Sequence, residues 1–452
     1  MGTQLTEEAK MRRSLDQNDF INLTANLIQR NLEVDDFYPG DSSDRQPVQT
    51  VYGGAHLFKY DTAKKLSQLS LKFMSDYAPN ELSFSTALNI PRDLSSEVYS
   101  RVLGKLQNEA VEDFRIDFED GFGNRPDEEE DAVAIKASSE LAKGMREGTI
   151  PPYVGIRIKS FTNELIGRSL RTLDLFVTNL FHEAEAIFPD NFVVTIPKIT
   201  HVSQVETLVS AFEILENKLG LPDKTLKMEF MIEATQTLFD LDGRLAMPGL
   251  LKIAKGRCRG AHFGTYDFTA SVDVIADHQH MNHKACDFAK LLMKSSFAGT
   301  GVWLSDGATN VMPVGSHKGE LTDLQREENQ KVVFDAWRLS YSHILNSLKN
   351  GYYQGWDLHP GQLPVRYAAV YTFFLQSLSQ AKTRLKNFIE VAAKATLVGD
   401  VFDDAATGQG LLNFFVKAYN CGAIDEKDVL ETGLTLDELR QKSFYKIVKN
   451  RK

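Results

Sequence analysis

Carboxylates stand at the ends of several short β-rich runs in this sequence, placed as groups that a closed sheet would gather on one rim. A run at 114–118 passes into Asp117-Phe118-Glu119-Asp120-Gly121, one at 227–232 ends on Glu233, and one at 260–263 leads through Gly264-Thr265-Tyr266 to Asp267. Two more lead to Asp306 and to Asp357-Leu358-His359-Pro360. A single such carboxylate is most simply a cap on the next helix. Five strand ends carrying them are different, because converging anions repel unless a cation sits among them. Hard divalent ions prefer oxygen donors, so carboxylates completed by water and a chelating ligand suit Mg²⁺ or Mn²⁺. No His or Cys set competes at zinc spacing, and His278, His280 and His283 lie in a polar stretch that reads as a solvated loop.

Two cations belong to the same pattern. Arg157 sits among apolar neighbours in Val-Gly-Ile-Arg-Ile-Lys-Ser, where an inward side chain would be a fixed positive charge for a carboxylate or a developing enolate. Neutralising Glu119 or Asp120 is the equally weighted alternative, and both roles are compatible. Lys198 closes the run at 192–196. A Schiff-base role there is the rival to an ion pair with the acidic cluster, and the ion pair is preferred. Ser/His/Asp catalysis has no support: no Gly-x-Ser-x-Gly occurs, and His262 and His359 have no nucleophile beside them.

The elements that must position these residues follow from periodicity. Runs at 50–52, 114–118, 153–158, 192–196, 227–232, 260–263, 302–304 and 354–358 alternate with helical patterns such as 62–74, 132–145, 202–219 and 286–295. Strand–helix alternation argues for a parallel sheet with helices outside. Eight units favour closure into a (β/α)₈ barrel, whose chemistry sits at the C-terminal strand ends. No Gly-x-Gly-x-x-Gly follows a strand, which removes the main support for the dinucleotide-binding alternative. Residues 1–48 read as an amphipathic helix and linker, 49–374 as the barrel, and 375–452 as a helical extension. The connections at 77–100 and 305–350 are long, and the stretch 411–429 reads as one helix.

Composition bounds the partners. The chain has 452 residues, 42% hydrophobic and 25% charged, with net charge −10. Phosphate-backbone binding wants clustered Lys and Arg, so no nucleic acid is expected. The short basic stretch of Lys252, Lys255, Arg257 and Arg259 reads as a solvated helix end. Cys258, Cys286 and Cys421 are too scattered for a disulfide or zinc framework, which suits a reducing, cytoplasmic setting. The polar start at 1–13 has no signal-peptide core, and no apolar run spans a membrane.

Six motifs then occur in order: DFEDG at 117–121, IRIKS at 156–160, TIPKITHVSQVE at 195–206, MIEA at 231–234, FGTYDF at 263–268 and WDLHPGQL at 356–363. Together they resemble the superfamily of the citrate lyase β subunit, malyl-CoA lyase, malate synthase and the HpcH/HpaI-type aldolases, over residues 50–372. The resemblance implies a metal-dependent TIM barrel with Glu233 and Asp267 as ligands of Mg²⁺ or Mn²⁺. It implies Arg157 at the substrate's enolate oxygen, and Glu119 and Asp120 as the acidic pair that holds water or substrate. Lys198, Gly264, Thr265 and His359 are expected to line the substrate site with Arg157. Aldolases of this type often carry His at the place of Asp120, the DFED stretch resembles the lyase and synthase branches, and LSDGATNVMP at 304–313 partly resembles a synthase segment. The expected activity is a carbon–carbon lyase acting on a 2-oxo or 2-hydroxy acid, or its CoA thioester, through an enolate. A malate-synthase-like acyl-CoA condensation and a non-catalytic carboxylate-binding barrel are the alternatives. A homo-oligomer that binds a small carboxylate is expected.

Overall fold

The computed structural model describes residues 14–40, 42, 44–394 and 405–451; the polar start at 1–13 lies outside them. Eight strands close a wholly parallel barrel in the order β1 to β8. They are β1 Gln49–Gly54, β2 Asp113–Asp117, β3 Tyr153–Arg157, β4 Phe192–Ile196, β5 Lys227–Ile232, β6 Cys258–Phe263, β7 Trp303–Ala308 and β8 Gln354–Asp357. Each expected run is a strand. Strands such as Phe-Val-Val-Thr-Ile are buried throughout because helices cover the outside and side chains fill the inside.

The helices are α1 Gln17–Phe37, α2 Thr62–Tyr77, α3 Glu81–Leu88, α4 Ser95–Glu109, α5 Asp127–Glu147, α6 Ile166–Glu183, α7 Val202–Leu219, α8 Thr235–Leu238 and α9 Ala246–Ile253. Next come α10 Thr265–Ser271, α11 Lys284–Phe297, α12 Asp323–Lys349, α13 Leu363–Lys394, α14 Ala405–Asn420, α15 Glu426–Leu430, α16 Leu436–Gln441 and α17 Phe444–Asn450. Their ends are written locally. His201 with Gln204 and Thr322 with Gln325 form capping boxes that start α7 and α12. Gly148 and Gly220 end α5 and α7 in the left-handed conformation. No helix among the described residues is long and apolar enough to cross a membrane.

Several local expectations differ. The connection 77–100 contains α3, started by a capping box between Asn80 and Ser83 that turn-rich composition concealed. The stretch 411–429 is not one helix: α14 stops at Asn420 and Asp425 caps a new one. Helix α13 runs unbroken through residue 375. The basic stretch is not uniformly solvated either. Arg257 is only 1% exposed and pairs with Glu216 at 2.7 Å.

A polar chain crosses the barrel interior. Gln354 donates to Thr50 (2.9 Å), and Thr50 to Asp113 (3.0 Å). Arg115 pairs with Asp113 and sends Nε and Nη2 to Glu229 at 3.0 and 2.7 Å. Trp356 donates its indole N–H to Nδ1 of His262 at 2.9 Å, which leaves the imidazole proton on Nε2, 3.3 Å from Glu229. Both Arg115 and Glu229 are buried, so their charges depend on each other. Removing one partner of a buried pair typically costs about 3–5 kcal/mol. Arg115→Met should therefore lower unfolding stability by about that amount in urea titration, since Asp113 and Glu229 lose their cation. A loss under about 1 kcal/mol, the range of exposed pairs, would contradict this role.

Candidate active site

The C-terminal rim is organised from Asp117 and Arg157, which are register partners at the ends of β2 and β3. Arg157 grips Asp117 with Nε to Oδ1 at 2.7 Å and Nη2 to Oδ2 at 2.5 Å, a two-point contact that fixes the plane of the guanidinium. The same two oxygens accept the backbone N–H groups of Glu119 (2.9 Å) and Gly121 (2.7 Å). One buried carboxylate thus shapes the turn after β2 and aims the arginine. The remaining Nη1 of Arg157 faces Glu119 at 3.1 Å and Asp120 at 3.3 Å. The ring of Tyr52, from β1, lies 5.0 Å from the guanidinium carbon.

Lys198 joins the next strands to this group. It follows β4 with a positive φ of 49°, and its N–H donates to Oε1 of Glu233 at 2.8 Å. Its ammonium pairs with Glu119, lies 3.1 Å from Asp120 and is 3.9 Å from Asp267. Glu233 ends β5 and is buried, while Asp267 stands half-exposed in the first turn of α10. Gly264 is required between them: a Cβ there would come within 2.6 Å of the Glu233 Cβ.

Glu233 is the anomaly of the site. It accepts a hydrogen bond from Lys198 N–H and has no ion-pair partner among the described residues. Burial, and then the charge of Asp267, push its carboxyl up to about 8. Burial also raises Glu119, to about 7, against the pull of Arg157. Asp120 goes the other way: burial opposes it, but Arg157, a hydrogen bond with Glu119, and Lys198 hold it below the usual range.

Among the described residues no group of three or more His, Cys, Asp or Glu side chains is arranged to hold a metal. The donor set nevertheless fits a hard divalent ion. Mg²⁺ is commonly held by one or two carboxylates, with water and substrate completing the shell. A buried carboxylate with no cation, beside a second anion that opens to solvent, is that kind of donor pair.

The rim gathers Glu119, Asp120, Arg157, Lys198, Glu233, Gly264 and Asp267. Two expected carboxylates do not converge with them. Asp306 is taken by Lys290 (3.0 Å) and Ser347 (2.6 Å), and Asp357 by Arg366 (3.0 Å). Thr265 begins α10, and its buried hydroxyl has no hydrogen-bond partner. His359 caps the turn after β8, accepting Gly361 N–H at 3.1 Å and packing edge-on against Phe73; no hydrogen bond or ion pair ties it to the acidic group among the described residues. Sequence reasoning missed Asp117 and Tyr52 as site residues. Asp117 had a signal, being two residues before Glu119 at the last strand position. Tyr52 had none.

The family model described as "Domain of unknown function (DUF6986)" matches residues 27–447. No curated protein sequence matches the chain. Among solved structures, malate synthase of Haloferax volcanii is similar in several forms. Its magnesium/glyoxylate complex is 12% identical with a TM-score of 0.45, covering 81% of this chain and 97% of that one. The native enzyme at 3 mM glyoxylate is 13% identical with a TM-score of 0.44, covering 85% and 100%. The pyruvate/acetyl-CoA ternary complex is 14% identical with a TM-score of 0.42, covering 90% and 98%. At such identity and superposition, none of their activity transfers to this chain.

The raised carboxyl of Glu233 has a thermal signature. An ordinary Glu titrates near about 4.3, so between there and about 8 the folded chain holds a proton that the unfolded chain has lost. That contribution is complete below the lower value and is lost as pH rises through about 8. In EDTA, the melting temperature of the protein should therefore fall between pH 5 and pH 9 more steeply than that of Glu233→Gln. Parallel profiles would show that Glu233 ionises normally.

Proposed function

The chain belongs to this family of unknown function, and we propose that it is a divalent-metal-dependent enzyme that makes or breaks a carbon–carbon bond beside a carboxylate. Its substrate in this reading is a small 2-oxo or 2-hydroxy acid, or the CoA thioester of one. The observation that carries the proposal is the buried, cation-less Glu233 facing Asp267, with the fixed cations Arg157 and Lys198 on the same rim. Glu233 and Asp267 would hold Mg²⁺ or Mn²⁺, which supplies Lewis acidity to a substrate oxygen when bound.

The chain's own groups do the rest. Arg157 is held by Asp117 on one edge and presents Nη1 on the other. An oxygen on which negative charge grows would meet a donor already oriented and largely shielded from water, which is where such a charge stabilises most. Glu119 acts as the base. A carboxyl near 7 is matched to proton transfer at neutral pH, and Arg157 and Lys198 keep its carboxylate oriented. It takes a hydroxyl proton if the bond is cleaved, or a proton α to a carbonyl if it is formed. The lyase and the acyl-CoA condensation readings use the same groups.

A screen of 2-hydroxy acids and acyl-CoA thioesters with 2-oxo acids, in Mg²⁺ or Mn²⁺, should reveal release of a 2-oxo acid for cleavage or free CoA for condensation. EDTA should abolish it. With the substrate found, Arg157→Lys keeps the charge but loses the fork. Losing one preorganised donor typically costs about 100- to 1000-fold in kcat. Near-normal turnover in Arg157→Lys would reduce Arg157 to a structural partner of Asp117. Silence across the whole screen would favour a non-catalytic barrel.

A further inference from the structure

The opposite, N-terminal rim of the barrel holds a cavity of about 850 Å³ between the starts of β3, β5, β6 and β7. Lys224, Lys227 and Arg259 line it, and none of the three makes an ion pair among the described residues. Their neighbours do: Arg257 pairs with Glu216 at 2.7 Å, Lys255 with Glu213 at 2.9 Å, and Arg45 with Glu112 at 2.9 Å. In a chain where Asp and Glu outnumber Lys and Arg by 61 to 51, three cations in one cavity without an ion pair among the described residues are conspicuous. Asp44 and Asp190 also line the cavity, exposed, and neither pairs with these cations.

Each cation is built into place. Arg259 is the extra residue of a bulge, since Met228 and Glu229 of β5 pair with Cys258 and Gly260 of β6. A bulge re-aims the side chain it adds. The guanidinium then lies 4.7 Å from the ring of Trp303 and 5.5 Å from that of Tyr153, with its N–H groups not taken by any acceptor among the described residues. Lys224 holds a left-handed φ of 61°, a conformation that costs a non-glycine residue free energy. Buried Glu216 fixes that turn by accepting the N–H groups of Lys224 (3.3 Å) and Leu226 (2.8 Å). Lys227 opens β5, its ammonium 3.5 Å from the carbonyl of Gly256. Burial lowers its pKa, and Arg257, Lys224 and Arg259 lower it further, as expected where positive charge is not compensated.

We propose that this cavity is a second binding site, for a phosphorylated small molecule whose phosphate lies across Arg259, Lys227 and Lys224. A planar fork with free donors suits two phosphate oxygens, and two ammonium groups supply the remaining charge. The volume is that of a small-ligand site, and the net charge of −10 opposes a long polyanion. The site shares no residue with the carboxylate rim, so it stands whatever reaction occurs there.

The test is calorimetric titration of inorganic pyrophosphate into the full chain in EDTA at fixed ionic strength. Saturable binding is expected, weakened about tenfold or more by Arg259→Gln and by Lys224→Gln, and unchanged by Arg157→Lys. Lys224 is exposed, so Lys224→Gln decides the matter if Arg259→Gln does not fold. Absence of saturable binding, or binding that is lost in Arg157→Lys and kept in Lys224→Gln, would overturn the proposal.

Discussion

Charge balance on one rim is the constraint from which the rest of the site follows. A closed parallel barrel delivers the last residue of every strand to the same face, whatever their signs. Here that brings Asp117, Glu119, Asp120, Glu233 and Asp267 together with Arg157 and Lys198. The cations cannot neutralise the group, and Arg157 is already bound on one edge to Asp117. Glu233 bears the imbalance because it is buried and, alone of these five carboxylates, has no ion-pair partner among the described residues. It can hold a proton, or, in the proposed reading, share a metal ion with Asp267, and the two are competing solutions to the same electrostatic problem.

The barrel interior gives this rim a stiff floor. Arg115, Glu229, His262, Trp356 and Tyr52 form a continuous polar chain that ends beneath the Arg157 guanidinium. Such a chain contributes little to net stability compared with an apolar filling, but every member constrains its neighbours' rotamers. The arginine is therefore oriented from two sides, by Asp117 along the strand ends and by Tyr52 from within. In the proposed reading Arg157 meets a developing charge, and a donor supported in this way has no reorganisation to undergo when that charge appears.

Much of this was legible in the sequence, and the remainder was not for identifiable reasons. Strand runs and intervening helices read directly, because a buried parallel strand is a short apolar run bounded by turn residues. Glu233 directly after β5 and Asp267 in the first turn after β6 are both placed on this rim by the strand pattern, and the pairing of Arg157 with the acidic turn is one of the two roles its sequence context offers. What periodicity cannot tell is whether a given carboxylate is already neutralised. Lys290 lies sixteen residues before Asp306 and Arg366 nine after Asp357, each on a helix whose facing depends on packing. The same blindness hid the cavity on the far rim. Lys252, Lys255, Arg257 and Arg259 look alike in a line of sequence, yet Arg257 is buried on Glu216 while a bulge turns Arg259 toward Trp303. A bulge shifts register by one residue and leaves no compositional mark.

The central claim is that Glu233 and Asp267 form a divalent-metal site, and Mn²⁺ reports on it directly. Free Mn²⁺ gives an electron paramagnetic resonance signal that is lost when the ion is bound to protein. Titration of the chain with Mn²⁺ at pH 8 should show a saturable site, abolished by both Glu233→Gln and Asp267→Asn while the circular dichroism of each variant stays that of the parent. Mn²⁺ that remains free at millimolar concentration, or that binds equally well to both variants, would contradict the account.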